Sequence, residues 1–132
     1  MTTYTRIKPE EVVEAYKATK TIPANNAWGY YDDDGDICAC GMTSVLMKRR
    51  NYSYSVLSKK KIGRLTTHVY TELLELPLDY VEGFANGFDG MKKIRAAEGP
   101  KEYDEGFDDG AAAYKAVVEE FGEVRDGSED ED

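Results

Sequence analysis

The chain writes one pattern twice: Tyr80-Val81-Glu82-Gly83-Phe84-Ala85-Asn86-Gly87 and, 23 residues on, Tyr103-Asp104-Glu105-Gly106-Phe107-Asp108-Asp109-Gly110. Residues three, four and seven apart share one side of an α-helix. Tyr80, Phe84 and Phe88 therefore stack as an aromatic stripe, with Gly83, Gly87 and Gly90 as a flat strip beside it. An interior glycine costs about 1 kcal/mol relative to alanine, so glycines at matched offsets imply a close backbone approach that offsets the cost. With Gly106, Gly110 and Ala113 in the second copy, the pattern predicts two neighbouring helices whose axes approach below the usual ~8–10 Å, with Phe84, Phe88 and Phe107 filling the flanks. Two copies are too few for a solenoid. A glycine-lined ligand cleft is the alternative use of the same strip.

The remaining elements follow from punctuation and periodicity. Pro9 at a first helical position, with Glu10 and Glu11 in the first turn, opens a helix that turns Val12, Ala15 and Tyr16 inward and ends at Thr21-Ile22-Pro23. Trp28–Tyr31 and Ile37–Cys40 flank Asp32-Asp33-Asp34-Gly35-Asp36, a β-hairpin signal, because Asp-Gly readily takes positive φ. After Gly41, the positions of Met42, Val45, Leu46 and Arg49 suit a short helix, while Tyr52, Tyr54 and Val56 alternate as a brief strand. From Ser58, the residues Ile62, Leu65, Val69, Leu73 and Leu76 recur at helical spacing until Pro77 stops the run. Asp79 is the expected cap of the next helix, with Glu82 completing a box-like pattern and Gly90 near its end. Gly99-Pro100 opens the last helix, which runs through Tyr114, Val117, Val118 and Phe121 to Gly122. The expected fold is mainly α (α+β), a compact bundle of four to five helices with a small β-hairpin. Residues 1–122 form one domain and residues 123–132 a disordered acidic tail.

Length and composition place the chain among globular proteins able to build a core without disulfides: 132 residues, 41% hydrophobic, ten tyrosines and only two cysteines. Cys38 and Cys40 are too close in sequence for an unstrained bridge, so reduced thiols are expected. No leading apolar run and no stretch of roughly 18 apolar residues appears, which points away from a membrane and toward the cytoplasm. Charge is segregated: formally −3 over residues 1–36, +7 over 37–71 and −13 over 72–132, for a net −9. Such blocks either neutralise one another within the fold or form a polarised surface for a charged partner.

Chemistry has four places to reside. Cys38-Ala39-Cys40-Gly41 offers two thiolates for a metal, but His68 is the one further soft donor, which leaves a closed zinc site a ligand short. Cys40 at a strand-to-helix junction could instead be acidified by the helix N-terminus and act with His68 as a nucleophile, against the plain reading of both thiols as structural. His68, Glu72 and Glu75 share a polar helix face suited to a cation, a proton or simple solvation. Asp32–Asp36 starts like a calcium loop, yet Ile37 and Thr43 stand where the loop glycine and the twelfth, bidentate ligand belong, so the EF-hand reading fails and only weak cation binding by a turn remains. Lys48, Arg49, Arg50, Tyr52 and Tyr54, followed by Lys59-Lys60-Lys61 and Arg64, interleave cations with aromatics as single-strand binders do.

Trp28-Gly29-Tyr30, Cys38-Ala39-Cys40-Gly41, Leu78-Asp79-Tyr80-Val81-Glu82-Gly83-Phe84, Gly87-Phe88-Asp89-Gly90 and Gly106-Phe107-Asp108-Asp109-Gly110 together resemble a group of small uncharacterised bacterial and phage-type proteins. The resemblance spans residues 10–120. It implies an architecture and lends no catalytic residues, because the group has no established activity. The expectation is a non-catalytic, cofactor-free protein-binding or regulatory module that presents an acidic surface to a basic protein, in the manner of a phage-type inhibitor. Glu102, Glu105, Asp108 and Asp109 are the docking carboxylates. The alternatives are a thiol or metal enzyme at Cys38 and Cys40 and a nucleic-acid binder through residues 48–64.

Overall fold

Pro9 has no N–H to leave unsatisfied, and it opens the first helix at N1, as its sequence position requires. A computed structural model describes residues 4–53, 67–90 and 101–126. Along them run α1 (Pro9–Thr19), β1 (Ile22–Asn25), β2 (Gly29–Tyr31), β3 (Ile37–Ala39), α2 (Gly41–Arg50), α3 (Thr67–Leu74), α4 (Leu78–Phe88), α5 (Lys101–Phe121) and β4 (Arg125–Asp126). The domain is mainly α with a small β part. The expected strand at Tyr54 and Val56, the first turns of the helix from Ser58, the Gly99-Pro100 start and residues 127–132 of the tail lie outside the described residues.

The repeat packs as its spacing demands at four glycines, whereas Gly90, expected in the same strip, lies beyond the helix at φ +77° with open space at its Cβ position. A Cβ placed on Gly83 would stand 2.2 Å from the Tyr103 carbonyl oxygen, and one on Gly87 2.2 Å from that of Phe107. Reciprocally, Gly106 meets the Tyr80 carbonyl and Gly110 that of Phe84, each at 2.2 Å. No real side chain fits there, so backbone packs on backbone. The contacts advance along both helices together, hence α4 and α5 run parallel, and the exchange of partners is that of a local two-fold axis. Asp89 caps the end of α4, and Gly90 follows it at φ +77°. Beside the glycines, Tyr80–Phe84 and Phe84–Phe88 rings follow at 6.3 Å centroid spacing, and Tyr114 meets Phe88 edge-on.

Helix α2 is the centre of the molecule. Gly41 through Met47 are all buried, so this helix has no solvent face over two turns. Its buried hydroxyls are satisfied: Thr43 donates to the Trp28 carbonyl at 2.8 Å and bonds the Tyr70 hydroxyl, and Ser44 shares a bond with Thr21 at 2.8 Å. Trp28 stacks on Tyr70 with centroids 4.4 Å apart, which ties the hairpin to α3. The Tyr16 hydroxyl donates to the Ala39 carbonyl at 2.7 Å, which ties α1 to β3.

The sheet has the order β2-β3-β1-β4. The hairpin β2–β3 forms as expected, with Tyr30 opposite Cys38 and Gly35 at φ +84° in its turn. Strand β1 lies where only a helix end was expected, and it pairs in parallel with β3 through Ile22 and Pro23 and with β4 through Ala24 and Asn25. Pro23 is tolerated because β4 does not reach it: at that residue the strand has a neighbour on one side only.

Three boundaries differ from expectation. The N-cap of α4 is Pro77 rather than Asp79, which sits within the first turn and caps nothing, though its charge still faces the positive end of the helix dipole. Helix α3 stops at Leu74, ahead of Pro77, because Glu75 turns left-handed (φ 56°) to bury Leu76. Residues 123–126, expected to begin a free tail, are part of the domain: Val124 packs on the core and β4 closes the sheet.

Candidate functional site

The carboxylates of α5 are met by the segment that precedes α1. Arg6 lays its guanidinium on Asp109 as a fork, with Nε and Nη2 each 2.9 Å from a carboxylate oxygen, and reaches Glu105 at 3.7 Å. Tyr4 donates its hydroxyl to Glu105 and packs its ring edge-on against Tyr80 at 5.2 Å. The Tyr80 hydroxyl accepts the Ile7 amide at 2.8 Å and donates to Asp109 at 2.6 Å. Burial first, then the neighbouring carboxylates, push both tyrosine hydroxyls well above their usual range, so both remain protonated donors. The hydrogen bond to Asp109 raises Arg6 further. Of the four expected docking carboxylates, Glu105 and Asp109 thus hold this segment. Glu102 is half-buried beside them, and Asp108 is exposed on the adjoining side.

The β3–α2 junction carries both thiols. Cys40 is the N-cap residue of α2, the position at which a helix dipole could acidify it. Burial outweighs the dipole and pushes the thiol up to about 11 despite the Thr43 hydroxyl 3.4 Å away. Cys38 is raised as well, again by burial, against partial relief from Tyr30 and from Arg125, whose Nη1 is 3.5 Å from the sulfur. His68 is exposed on α3. Among the described residues, no three potential ligands that include a cysteine or His68 bring their donor atoms within 4.8 Å.

Asp32, Asp34 and Asp36 do converge to within 4.8 Å. Asp32 already spends Oδ1 on the amides of Asp34 (3.0 Å) and Asp36 (2.8 Å) and Oδ2 on Arg125 (2.9 Å). The amide bond from Asp36 leads the effects that hold its carboxyl below the usual carboxylate range. This is the arrangement of a turn-stabilising aspartate.

Two cations of the basic segment, Arg49 and Arg50, bond within the molecule, while Lys59, Lys60, Lys61 and Arg64 lie outside the described residues. Arg49 forks onto Glu11 at 2.6 and 2.8 Å, which raises its own basicity. Arg50 donates to the Leu73 carbonyl at 2.7 Å and to Glu75 at 3.1 Å. Tyr52 is half-buried against the core, Lys48 is exposed, and Tyr54 lies outside the described residues. A cleft of about 400 Å³ opens here between Tyr4, Thr5, Arg49, Arg50, Leu74 and Glu75. Glu75 faces Arg50, so the polar face expected for His68, Glu72 and Glu75 is divided.

Sequence reasoning missed Tyr4, Arg6 and Glu11. Their partners lie 101, 103 and 38 residues away, beyond the reach of any periodicity. No family model, curated protein or solved structure matches this chain. Among the described residues, no helix is long and apolar enough to cross a membrane.

Proposed function

We propose that the domain is a non-catalytic, cytoplasmic protein-binding module that offers the acidic side of α5 to a basic, aromatic-bearing segment of a partner protein. One observation carries this reading: Glu105 and Asp109, one helical turn apart, already hold an arginine in fork geometry and a tyrosine hydroxyl. A fork onto carboxylates combines directional bonds with charge, the recurring chemistry of arginine recognition. The buried, high-pKa thiols make a poor nucleophile pair, and Arg49 and Arg50 face carboxylates of their own chain, which weakens a nucleic-acid surface.

Fluorescence anisotropy with a labelled oligo-arginine peptide and with a random single-stranded oligonucleotide tests it. The peptide should bind and weaken with added salt, since exposed charges are screened over about 8 Å at physiological ionic strength. Glu102→Lys with Asp108→Lys should reduce peptide binding, whereas Lys48→Glu should not. Preference for the oligonucleotide would overturn the proposal.

A further inference from the structure

The geometry points to residues 4–6 as a releasable cover that competes in cis with the partner for α5; the inference rests on the function proposed above and specifies how that face is regulated. Tyr-Thr-Arg is itself a basic, aromatic-bearing segment, and it occupies Glu105 and Asp109 with the bonds that a partner would need.

The segment is built to pivot. Ile7 is 1% exposed, and its amide is fastened to the Tyr80 hydroxyl, so the chain is anchored there. Before that anchor, the Arg6 side chain is 46% exposed, and its hold on α5 is an ion pair open to solvent screening. On its other side, Tyr4 and Thr5 form a wall of the 400 Å³ cleft, which leaves them without close packing along that edge. Lifting residues 4–6 would uncover Glu105 and Asp109 and leave Ile7 and the core in place. Because the cover is tethered, it acts at high effective concentration, and a partner with a single arginine competes poorly; a segment with several basic or aromatic groups is the occupant that displaces it. The apparent affinity of the face is lowered by the fraction of time it is covered.

The test uses the full chain, a labelled capped peptide of the sequence Tyr4–Lys8, and labelled oligo-arginine. Tyr4→Ala with Arg6→Ala should bind both probes about fivefold or more tighter than wild type, the scale set by a cover worth one or two exposed interactions. Adding Glu105→Gln and Asp109→Asn, the latter keeping a hydrogen-bond acceptor for Tyr80, should abolish the gain. Arg6→Gln alone, at a half-exposed position, supplies a milder version, and thermal midpoints check that every variant is folded. Equal oligo-arginine binding by wild type and cover variant, salt-sensitive in both, overturns the cover and leaves the proposed function standing. Absence of oligo-arginine binding to either overturns both.

Discussion

The α4–α5 pair and the four-stranded sheet are held together in opposite ways. The helix pair is joined by backbone meeting backbone over two turns, through four glycines whose Cβ positions are filled by the partner's carbonyls. The sheet is assembled from strands of two to four residues drawn from three separate parts of the chain, and it is closed by side chains: Arg125 on Asp32, Asn26 on Asp126 and Asn26 on Asp89. The first has no slack along its glycines, and its polar contacts, Tyr80 on Asp109 and Asn86 on Tyr103, lie beside them. The second is closed at its edge by charged and polar side chains, where solution conditions should be felt.

The helix pair is most vulnerable at its glycines. Gly87→Leu or Gly110→Leu must push a backbone carbonyl aside, so a loss of about 3 kcal/mol or more is expected, at the upper end of overpacking effects, with thermal melting as the measurement. Gly41→Ala makes the useful contrast. Its Cβ would meet side-chain atoms of Phe88 and Val12 at 3.1 Å, which asks for a shift of a few tenths of an ångström in side chains rather than of a backbone carbonyl at 2.2 Å, so the midpoint should fall by much less. Equal costs at Gly41 and Gly87 would mean that α4 and α5 can separate freely, and the close approach would lose its place as the rigid half of the molecule.

Legibility follows the same division. The paired glycine and phenylalanine offsets were readable because a local 3.6-residue period carried them, and so were the Pro9 start, the Gly122 stop and the Asp-Gly hairpin turn. Strand β1 was not readable, since Ile22-Pro23-Ala24-Asn25 has neither alternation nor length and owes its conformation to neighbours at residues 38–39 and 125–126. The parallel sense of α4 and α5 was equally hidden, because the repeat specifies which faces meet but not their direction. In the candidate site, the carboxylates of α5 could be named from their spacing. That Tyr4 and Arg6 cover two of them depends on packing that brings residues about a hundred positions apart together.

A smaller effect is expected at the clasp formed by β4. Arg125→Ala removes the Asp32 ion pair and the cation that partly relieves the raised Cys38 thiol, so the midpoint should fall modestly and Cys38 should react more slowly with a thiol reagent at mildly alkaline pH. Cys40, sealed by α2 and Thr43 instead, should keep its slow rate. Acceleration at both cysteines would instead indicate that the loss of Arg125 loosens the whole fold. Asp32 adds a pH signature. Its folded pKa lies below the unfolded value of 3.8, so its contribution is complete above that value and lost as pH falls through the folded one. Asp32→Asn should therefore weaken the protein at neutral pH and converge with wild type in acid.

Asp89 should show the opposite sign with the smallest amplitude, and that sharpens the contrast within the polar half itself. Its carboxyl is raised above 3.8, first by burial at the end of α4 and then by the charge of Asp126, although it accepts the Asn26 amide at 2.8 Å. Above the raised folded value, the native state carries this ionised group at a penalty that the unfolded chain does not feel. As pH falls through the folded value toward 3.8, the native state takes up the proton first, the penalty is relieved, and below 3.8 both states are protonated. Asp89→Asn keeps an acceptor for Asn26 and removes the charge. It should raise the melting midpoint slightly at pH 7, and that gain should shrink toward zero in the acid window where the Asp32→Asn deficit also closes. A loss of stability at pH 7 would instead show that the ionised carboxylate, through its bond to the left-handed Asn26, is needed to hold the end of β1 in place.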